Sequence, residues 1–341
     1  MRMARRVEHV EGVYAYTGVL PEGCRLCMRG EKIVVFVTGL CTERCFYCPV
    51  SPWRFGRDVV YADEEPAHGL EDVVQEAMRV DARGAAVTGG EPLLVPGRVA
   101  AIVSRLKEAM GDAFHVHLYT SARLLTREYV RVLEDAGVDE LRIHPVEERL
   151  WERVRIAVEA RRSMSIGVEV PVFPGDFERL RGRLEWLERI GVDFVNLNEA
   201  EVAPHRVEAF VSRGYRVKGY VVEGSYEEGL RLVEWAAENL ERLSVHFCPA
   251  SYKDRVQHRN RLVRKALNTR MFYEEATPSG TLLHAEAPCG DDAAARLVEQ
   301  GWGVATDGTC LIHPRAPLQK GWVIVETYPD TRRRLVSKAR V

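Results

Sequence analysis

"VTGLCTERCFYCPVSP", Val37–Pro52, sets three cysteines, Cys41, Cys45 and Cys48, within eight residues, with no fourth beside them. A structural zinc or a closed iron–sulfur cluster takes four protein ligands. A set of three therefore points to a metal position left for something else. Just ahead of it, "KIVVFVTG" (Lys32–Gly39) is a short β-branched run ending in glycine, the composition of a buried strand. The cysteines fall in the loop that follows that strand.

Outward from this loop the chain alternates. The stretch "LEDVVQEAMRVDA" spaces its apolar residues three and four apart, as a helix does, and the strand "GAAVTGG" follows. The pattern recurs through strands "FHVHLYT", "DELRIHP", "SIGVEVPV", "DFVNLNE" and "SVHFCPA", each preceded by an amphipathic helix. Several helices end at "AG" or "IG", where glycine can take the left-handed cap. "RVKGYVVEG" reads as one more strand. Helices of this length between strands predict an α/β fold with a parallel sheet, a partial or full (β/α) barrel. In such barrels the loops after the strands carry the active site, which is where Cys41, Cys45 and Cys48 stand. After Pro249 the rhythm breaks into a long helix with an apolar stripe at Val256, Val263, Leu267 and Met271, then Gly-rich turns and β-type segments. The expected domains are an N-terminal extension (1–31), the barrel (32–250), a linking helix (251–273) and a small β-rich C-terminal module (274–341).

Cys-x3-Cys-x2-Cys with Tyr47 just before the last cysteine resembles the signature of the radical S-adenosylmethionine (radical SAM) enzymes. The resemblance covers roughly Lys32 to Pro249. It implies a 4Fe–4S cluster on Cys41, Cys45 and Cys48, SAM on the open iron, and reductive cleavage of SAM to a 5′-deoxyadenosyl radical that functionalises a C–H bond. An electron donor such as ferredoxin or flavodoxin is implied as a partner. "VTGGEPLL" (Val87–Leu94) stands after the second strand, where the family carries its Gly-Gly-Glu motif. Gly89 and Gly90 would let the backbone approach SAM, and Glu91 would accept a hydrogen bond from its ammonium. By position in the barrel, Thr120 and Ser121 are further candidates for SAM contact. Arg142 and His144 suit its carboxylate or ribose, and Asn198 joins them. Glu169, Asn196 and Glu199 are weaker candidates. A zinc site built from any four of the eight cysteines is the bland alternative.

Cys24 and Cys27, in "GCRLC", are half a metal site, with Cys248 and less surely His246 as partners. This set is expected to bind zinc or an auxiliary iron–sulfur cluster, or to be a dithiol without metal. The spacing between Cys27 and the first strand suggests the bottom of the barrel for the pair.

Charged residues are 29% of the chain and the formal charge is −2, which selects no class of partner. No apolar run approaches a membrane span, and no signal peptide is visible, so a soluble, cytoplasmic protein without membrane contact is expected. Its cysteines are then thiols or metal ligands, unless a disulfide joins late cysteines of the chain; Cys289 and Cys310, in the C-terminal module, show no ligand spacing. The helix after the barrel carries Lys253, Arg255, Arg259, Arg261, Arg264, Lys265 and Arg270 against Asp254, and "RRRLVSKAR" is a second basic run. One basic face beside a β module is suited to a phosphate backbone. RNA modification, of tRNA or rRNA, is therefore the leading expectation for the substrate. Activation of a protein or peptide is the alternative, since the motifs also resemble activases related to the pyruvate formate-lyase activating enzymes. A non-catalytic zinc or nucleic-acid binding protein is a third reading.

Overall fold

The computed structural model describes residues 5–10 and 14–341. In chain order the first strands and helix are β1 (Val7–Val10), β2 (Tyr14–Thr17) and α1 (Glu22–Met28). Then come β3 (Lys32–Phe36), β4 (Tyr61–Ala62), β5 (Glu65–Pro66), α2 (Leu70–Val80), β6 (Gly84–Thr88) and α3 (Pro96–Met110). The alternation continues with β7 (His115–Thr120), α4 (Arg127–Asp135), β8 (Glu140–Ile143), α5 (Trp151–Ala160) and β9 (Ser165–Val172). It closes with α6 (Phe177–Ile190), β10 (Phe194–Glu199), α7 (Val207–Val211), β11 (Val217–Lys218), β12 (Val221–Val222), α8 (Ser225–Asn239) and β13 (Ser244–Cys248).

Among the described residues eleven strands form one sheet in the order β1-β2-β13-β10-β9-β8-β7-β6-β3-β4-β5, and its seven central strands, from β13 to β3, are parallel. One inner cavity touches side chains from all seven, so the sheet curls into an open barrel. Alternation along each strand explains both faces. Ile33, Val35, Leu118, Leu141, Val168, Leu197 and Phe247 point outward into the main core under the helices. Lys32, Tyr119, Arg142, Glu169 and Asn198 point inward and line the cavity. A packed (β/α) barrel fills its interior with branched apolar residues; this one has a polar chamber instead.

Three features depart from the sequence reading. Val7–Val10 and Tyr14–Thr17 of the supposed extension supply β1 and β2, and β2 pairs antiparallel with β13 through Val245↔Thr17 and Phe247↔Ala15. The segment "RVKGYVVEG" is a two-stranded hairpin, β11–β12, separate from the barrel sheet, because Gly219 turns the chain at φ 63°. Beyond the barrel the helix is broken into a turn α9 (Ala250–Tyr252), a π-helical stretch Lys253–His258 and α10 (Arg259–Thr269). The π turn shifts the helical phase. Leu262, Lys265 and Ala266 are therefore the buried face of α10, while the expected stripe residues Leu267 and Met271 are exposed.

The C-terminal residues form β14 (Glu275–Ala276), β15 (Leu282–Pro288), α11 (Asp292–Glu299), β16 (Gly303–Thr306), β17 (Thr309–Ile312), β18 (Val323–Thr327) and β19 (Leu335–Arg340). These strands make a separate six-stranded sheet with a core of its own around Ala285, Leu297, Ile312 and Trp322. Cys289 and Cys310 are disulfide-bonded.

Candidate functional site

The loop after β3 is pinned from both sides. Phe46 is inserted among Phe173, Phe210 and Tyr215, with ring centroids 5.6, 5.1 and 6.2 Å away. Glu43 is buried and held by both arms of Arg123, which also reaches Glu147 at 2.5 Å. With Phe46 turned into that cluster, Cys41, Cys45, Tyr47 and Cys48 line a cavity of about 660 Å³. Its wall also includes Thr88, Gly89, Gly90, Thr120, Ser121 and His144. The backbone amide of Glu43 donates to Cys41 Sγ at 3.4 Å, a contact that suits a thiolate. Burial nevertheless pushes the free Cys41 thiol up to about 11. Among the described residues no three His, Cys, Asp or Glu side chains converge on a point where one ion could sit. A cube takes each thiolate at a different corner, so three thiols along one wall fit a cluster better than a lone zinc.

The Gly-Gly-Glu segment packs directly on the cysteine loop. The amides of Gly90 and Glu91 donate to Thr38 O and Leu40 O at 2.7 and 2.8 Å. A Cβ on Gly90 would stand 2.2 Å from Leu40 O and 2.9 Å from Cys41 Cβ, and one on Gly89 would stand 2.4 Å from Thr38 O. The glycines are thus required by close contact with the cysteine loop and the residues leading into it. Gly90→Ala is expected to push Cys41 off its position and to lower iron retained after anaerobic reconstitution at least about 10-fold, in keeping with the cost of backbone overpacking. Iron analysis on folded protein checks it.

Glu91 corrects the expectation placed on it. It is fully buried and is absent from the cavity wall. Its Oε1 accepts from Leu93 N at 3.0 Å and Thr120 Oγ1 at 2.9 Å, and its Oε2 from Ser121 N at 2.7 Å and Ser121 Oγ at 2.5 Å. With both oxygens engaged by the protein, Glu91 does not present itself to an ammonium. It acts at one remove, fixing Thr120 and Ser121, which do reach the cavity.

A second cavity of about 460 Å³ adjoins the first, and the two share Tyr47, Pro49, Thr88, Tyr119 and His144. His144 Nδ1 faces Glu169 O at 2.7 Å, and a carbonyl only accepts, so Nδ1 carries the hydrogen. Nε2 then accepts from the Tyr47 hydroxyl at 2.9 Å. Burial lowers the His144 pKa and keeps the ring neutral, which preserves this relay at neutral pH. Arg142 corrects another expectation. It is 2% exposed and bound to Glu140 at 2.6 Å and Glu169 at 2.9 Å, so its charge is spent within the barrel wall and is not free for a ligand carboxylate. Asn198 donates to Glu169 Oε1 at 2.9 Å and lines only the inner cavity.

Burial works against the Glu169 anion, but Arg142 and the amides of Asn196 and Asn198 outweigh it and hold the carboxyl at about 2. Its folded pKa lies below the ordinary 4.3 or so. The stabilisation is therefore present above that ordinary value and is lost as pH falls from about 4.5 through about 2. Urea unfolding at stepped pH is expected to show about 2 to 3 kcal/mol more loss over this window in the native protein than in Glu169→Gln. Equal slopes would contradict it.

Helix α1 packs on the N-terminal ends of β3, β6 and β8. Lys32 Nζ donates to Gly23 O at 2.8 Å, the Gly23 amide donates to Glu140 Oε2 at 3.3 Å, and a Cβ on Gly84 would meet Leu26. Cys24 and Cys27 therefore sit low in the barrel yet face its inner cavity, which Cys248 also lines. His246 is turned aside, its Nδ1 paired with the Tyr14 hydroxyl at 2.9 Å.

Four of the seven cations of the basic helix clasp other parts of the chain. Arg261 pairs with Asp63 at 2.6 Å and with Glu64, Arg264 with Asp81 at 2.6 Å, and Lys253 with Glu201. Lys265 and Glu76 are buried together at 2.5 Å. In the second basic run Arg333, Arg334 and Lys338 pair with Glu274, Asp330 and Glu286. The phosphate-binding expectation loses its support because carboxylates of the barrel pair with Lys253, Arg261, Arg264 and Lys265, which leaves Arg255, Arg259 and Arg270 as the exposed cations of the helix. Sequence spacing shows charge on a helix face, but not what lies across from it.

Residues that sequence reasoning missed include Glu43, Arg123 and Phe46, which hold the cysteine loop. Their signal, an aromatic and an acid lodged between cysteines, is weak by itself.

A model of the radical SAM superfamily matches residues 35–146. A Methanocaldococcus jannaschii protein provisionally named a glycyl-radical enzyme activating enzyme is 33% identical over 278 residues, 77% of this chain and 72% of that one. Among solved structures, Streptococcus suis SuiB bound to S-adenosylmethionine is 12% identical with a TM-score of 0.45, over 64% of this chain and 50% of that one. Escherichia coli coproporphyrinogen III oxidase, a radical SAM enzyme, is 9% identical with a TM-score of 0.41, over 94% of this chain and 76% of that one.

Proposed function

The chain belongs to the radical SAM superfamily, whose members use a 4Fe–4S cluster and SAM, and on that premise we propose that it is an activating enzyme that takes a hydrogen atom from a protein partner. The observation that carries the partner class is the likeness to the methanogen protein over most of its length, given that protein's name. The ion-paired state of the basic helix removes the support for RNA.

In this reading Cys41, Cys45 and Cys48, which line the cavity, would hold the cluster. The cluster and SAM, when bound, supply a one-electron C–S cleavage whose carbon radical abstracts hydrogen from substrate. The chain's own residues shape where that happens. Gly89 and Gly90 offer backbone without side-chain bulk, Thr120 and Ser121 offer hydroxyls oriented by Glu91, and Tyr47 is oriented by neutral His144. The inner chamber lies against this cavity and shares five wall residues with it, so a hydrogen donor seated there is next to the cysteine loop.

The test pairs two readouts. Anaerobically reconstituted protein with dithionite and SAM is mixed with a purified glycyl-radical enzyme from the same organism. A protein-borne glycyl radical in the electron paramagnetic resonance spectrum, with matching 5′-deoxyadenosine, is the expected result. Deoxyadenosine formed while every such partner stays radical-free, and modified tRNA nucleosides appear instead, would overturn the activating role and leave the superfamily chemistry standing.

A further inference from the structure

The activating role leaves Cys24, Cys27 and Cys248 without work, yet the fold brings all three to the inner chamber. Cys24 Sγ receives Arg142 Nη2 at 3.2 Å. Cys27 Sγ meets Gln257 Oε1 at 3.1 Å, and Gln257 Nε2 points to Cys248 Sγ at 3.6 Å, so one amide spans two thiols from opposite ends of the barrel sequence. Gln257 reaches this place from the π-helical stretch Lys253–His258. Such stretches are rare and frequently mark functional sites.

A further observation points to a ligand here. Lys32 is buried and lines the same chamber; its Nζ donates to Gly23 O and meets the His117 ring, and among the described residues no carboxylate stands within ion-pair distance of it, Glu140 acting from farther off. A buried ammonium without a direct counter-ion is costly. An anionic centre among the thiols would offset that cost, and the Arg142 N–H donor already faces the first sulfur. The three thiols do not converge on one point, and the Gln257 amide holds two of them apart. A polynuclear cluster accommodates that separation, whereas a lone tetrahedral ion does not.

We propose that Cys24, Cys27 and Cys248 are the thiolate ligands of a second iron–sulfur cluster, which displaces the Gln257 amide and turns its unliganded side toward the inner chamber. This inference goes beyond the activating role and stands whether or not the partner is a protein.

The test begins from the Cys41→Ala/Cys45→Ala/Cys48→Ala variant, reconstituted anaerobically and passed through a desalting column. About two to four iron atoms and matching sulfide per chain should remain, with charge-transfer absorption and a Mössbauer signature of thiolate-bound iron. Adding Cys27→Ser, a half-buried position where serine keeps the shape, should remove that iron at least about 10-fold while circular dichroism and the melting temperature show a folded chain. Iron at background in the triple variant, with a full cluster in the native protein, would overturn the second cluster and leave the first intact. Zinc in place of iron would overturn it as well.

Discussion

Alanine at any one of Cys41, Cys45 or Cys48 is expected to abolish reductive cleavage of SAM, lowering 5′-deoxyadenosine formation by at least about 10³-fold, a loss of roughly 4 kcal/mol or more in transition-state terms. The size of the effect follows from the ligand count. A loop that supplies three thiolates has none to spare, and an iron that loses its thiolate exposes a second corner to solvent. The structure adds a reason to expect the chain itself to stay folded. The loop is held by Phe46 in its aromatic cluster and by Glu43 on Arg123, so its position does not depend on the sulfur atoms. All three cysteines are only partly buried, and replacing them costs little core packing. The measurement is anaerobic turnover with dithionite, beside urea unfolding of the apoprotein. A variant that keeps more than about a hundredth of native turnover would mean that the loop does not carry the reacting iron, because one missing thiolate of three is not a small perturbation.

The barrel was legible in the sequence because helix and strand periods alternate cleanly from Lys32 to Cys248. The cysteine loop was legible because spacing alone restricts what three thiolates can hold. Other features were hidden for identifiable reasons. β2 exists because β13 offers it an edge through Val245↔Thr17, a fact of tertiary pairing that local composition in "VYAYTG" does not announce. The stripe on α10 was misread because an extra residue in the π turn rotates everything after it, and periodicity counted from one end carries that error forward. The charge of Arg142 looked available because its acceptors Glu140 and Glu169 lie two residues away and one strand away, and only register joins them. One signal was present and went unused. Strands β7, β8, β9 and β10 carry mostly polar or small residues at alternate positions, as in Glu140–Arg142 and Asn196–Asn198. A sheet whose inward face reads polar while its outward face reads Leu, Ile and Val encloses a chamber rather than a filled core.

Glu91 gives the second large effect, and it separates two roles that the sequence leaves merged. If this carboxylate served a ligand, Glu91→Gln would leave the apoprotein as stable as the native chain and weaken only SAM binding. The geometry says otherwise. Four donors, Leu93 N, Thr120 Oγ1, Ser121 N and Ser121 Oγ, converge on two buried oxygens. Glutamine keeps one oxygen and replaces the other with an N–H₂, which sets donor against donor at Ser121, where the backbone amide cannot turn away. Alanine removes both acceptors and leaves a void. Each orphaned buried donor costs about 1 to 3 kcal/mol, and such terms are not additive within one network. Apoprotein stability is therefore expected to fall by about 2 to 4 kcal/mol in Glu91→Gln and by about 3 to 5 in Glu91→Ala. The loop after β7 would loosen in both, so SAM affinity should fall as a consequence, and Thr120 and Ser121 should gain amide hydrogen exchange before any other part of the barrel. Urea unfolding without SAM decides the matter. Stability in Glu91→Gln within about 0.5 kcal/mol of native, the ordinary range for a surface change, together with lost SAM binding, would return Glu91 to the ligand and undo the positioning role argued for it.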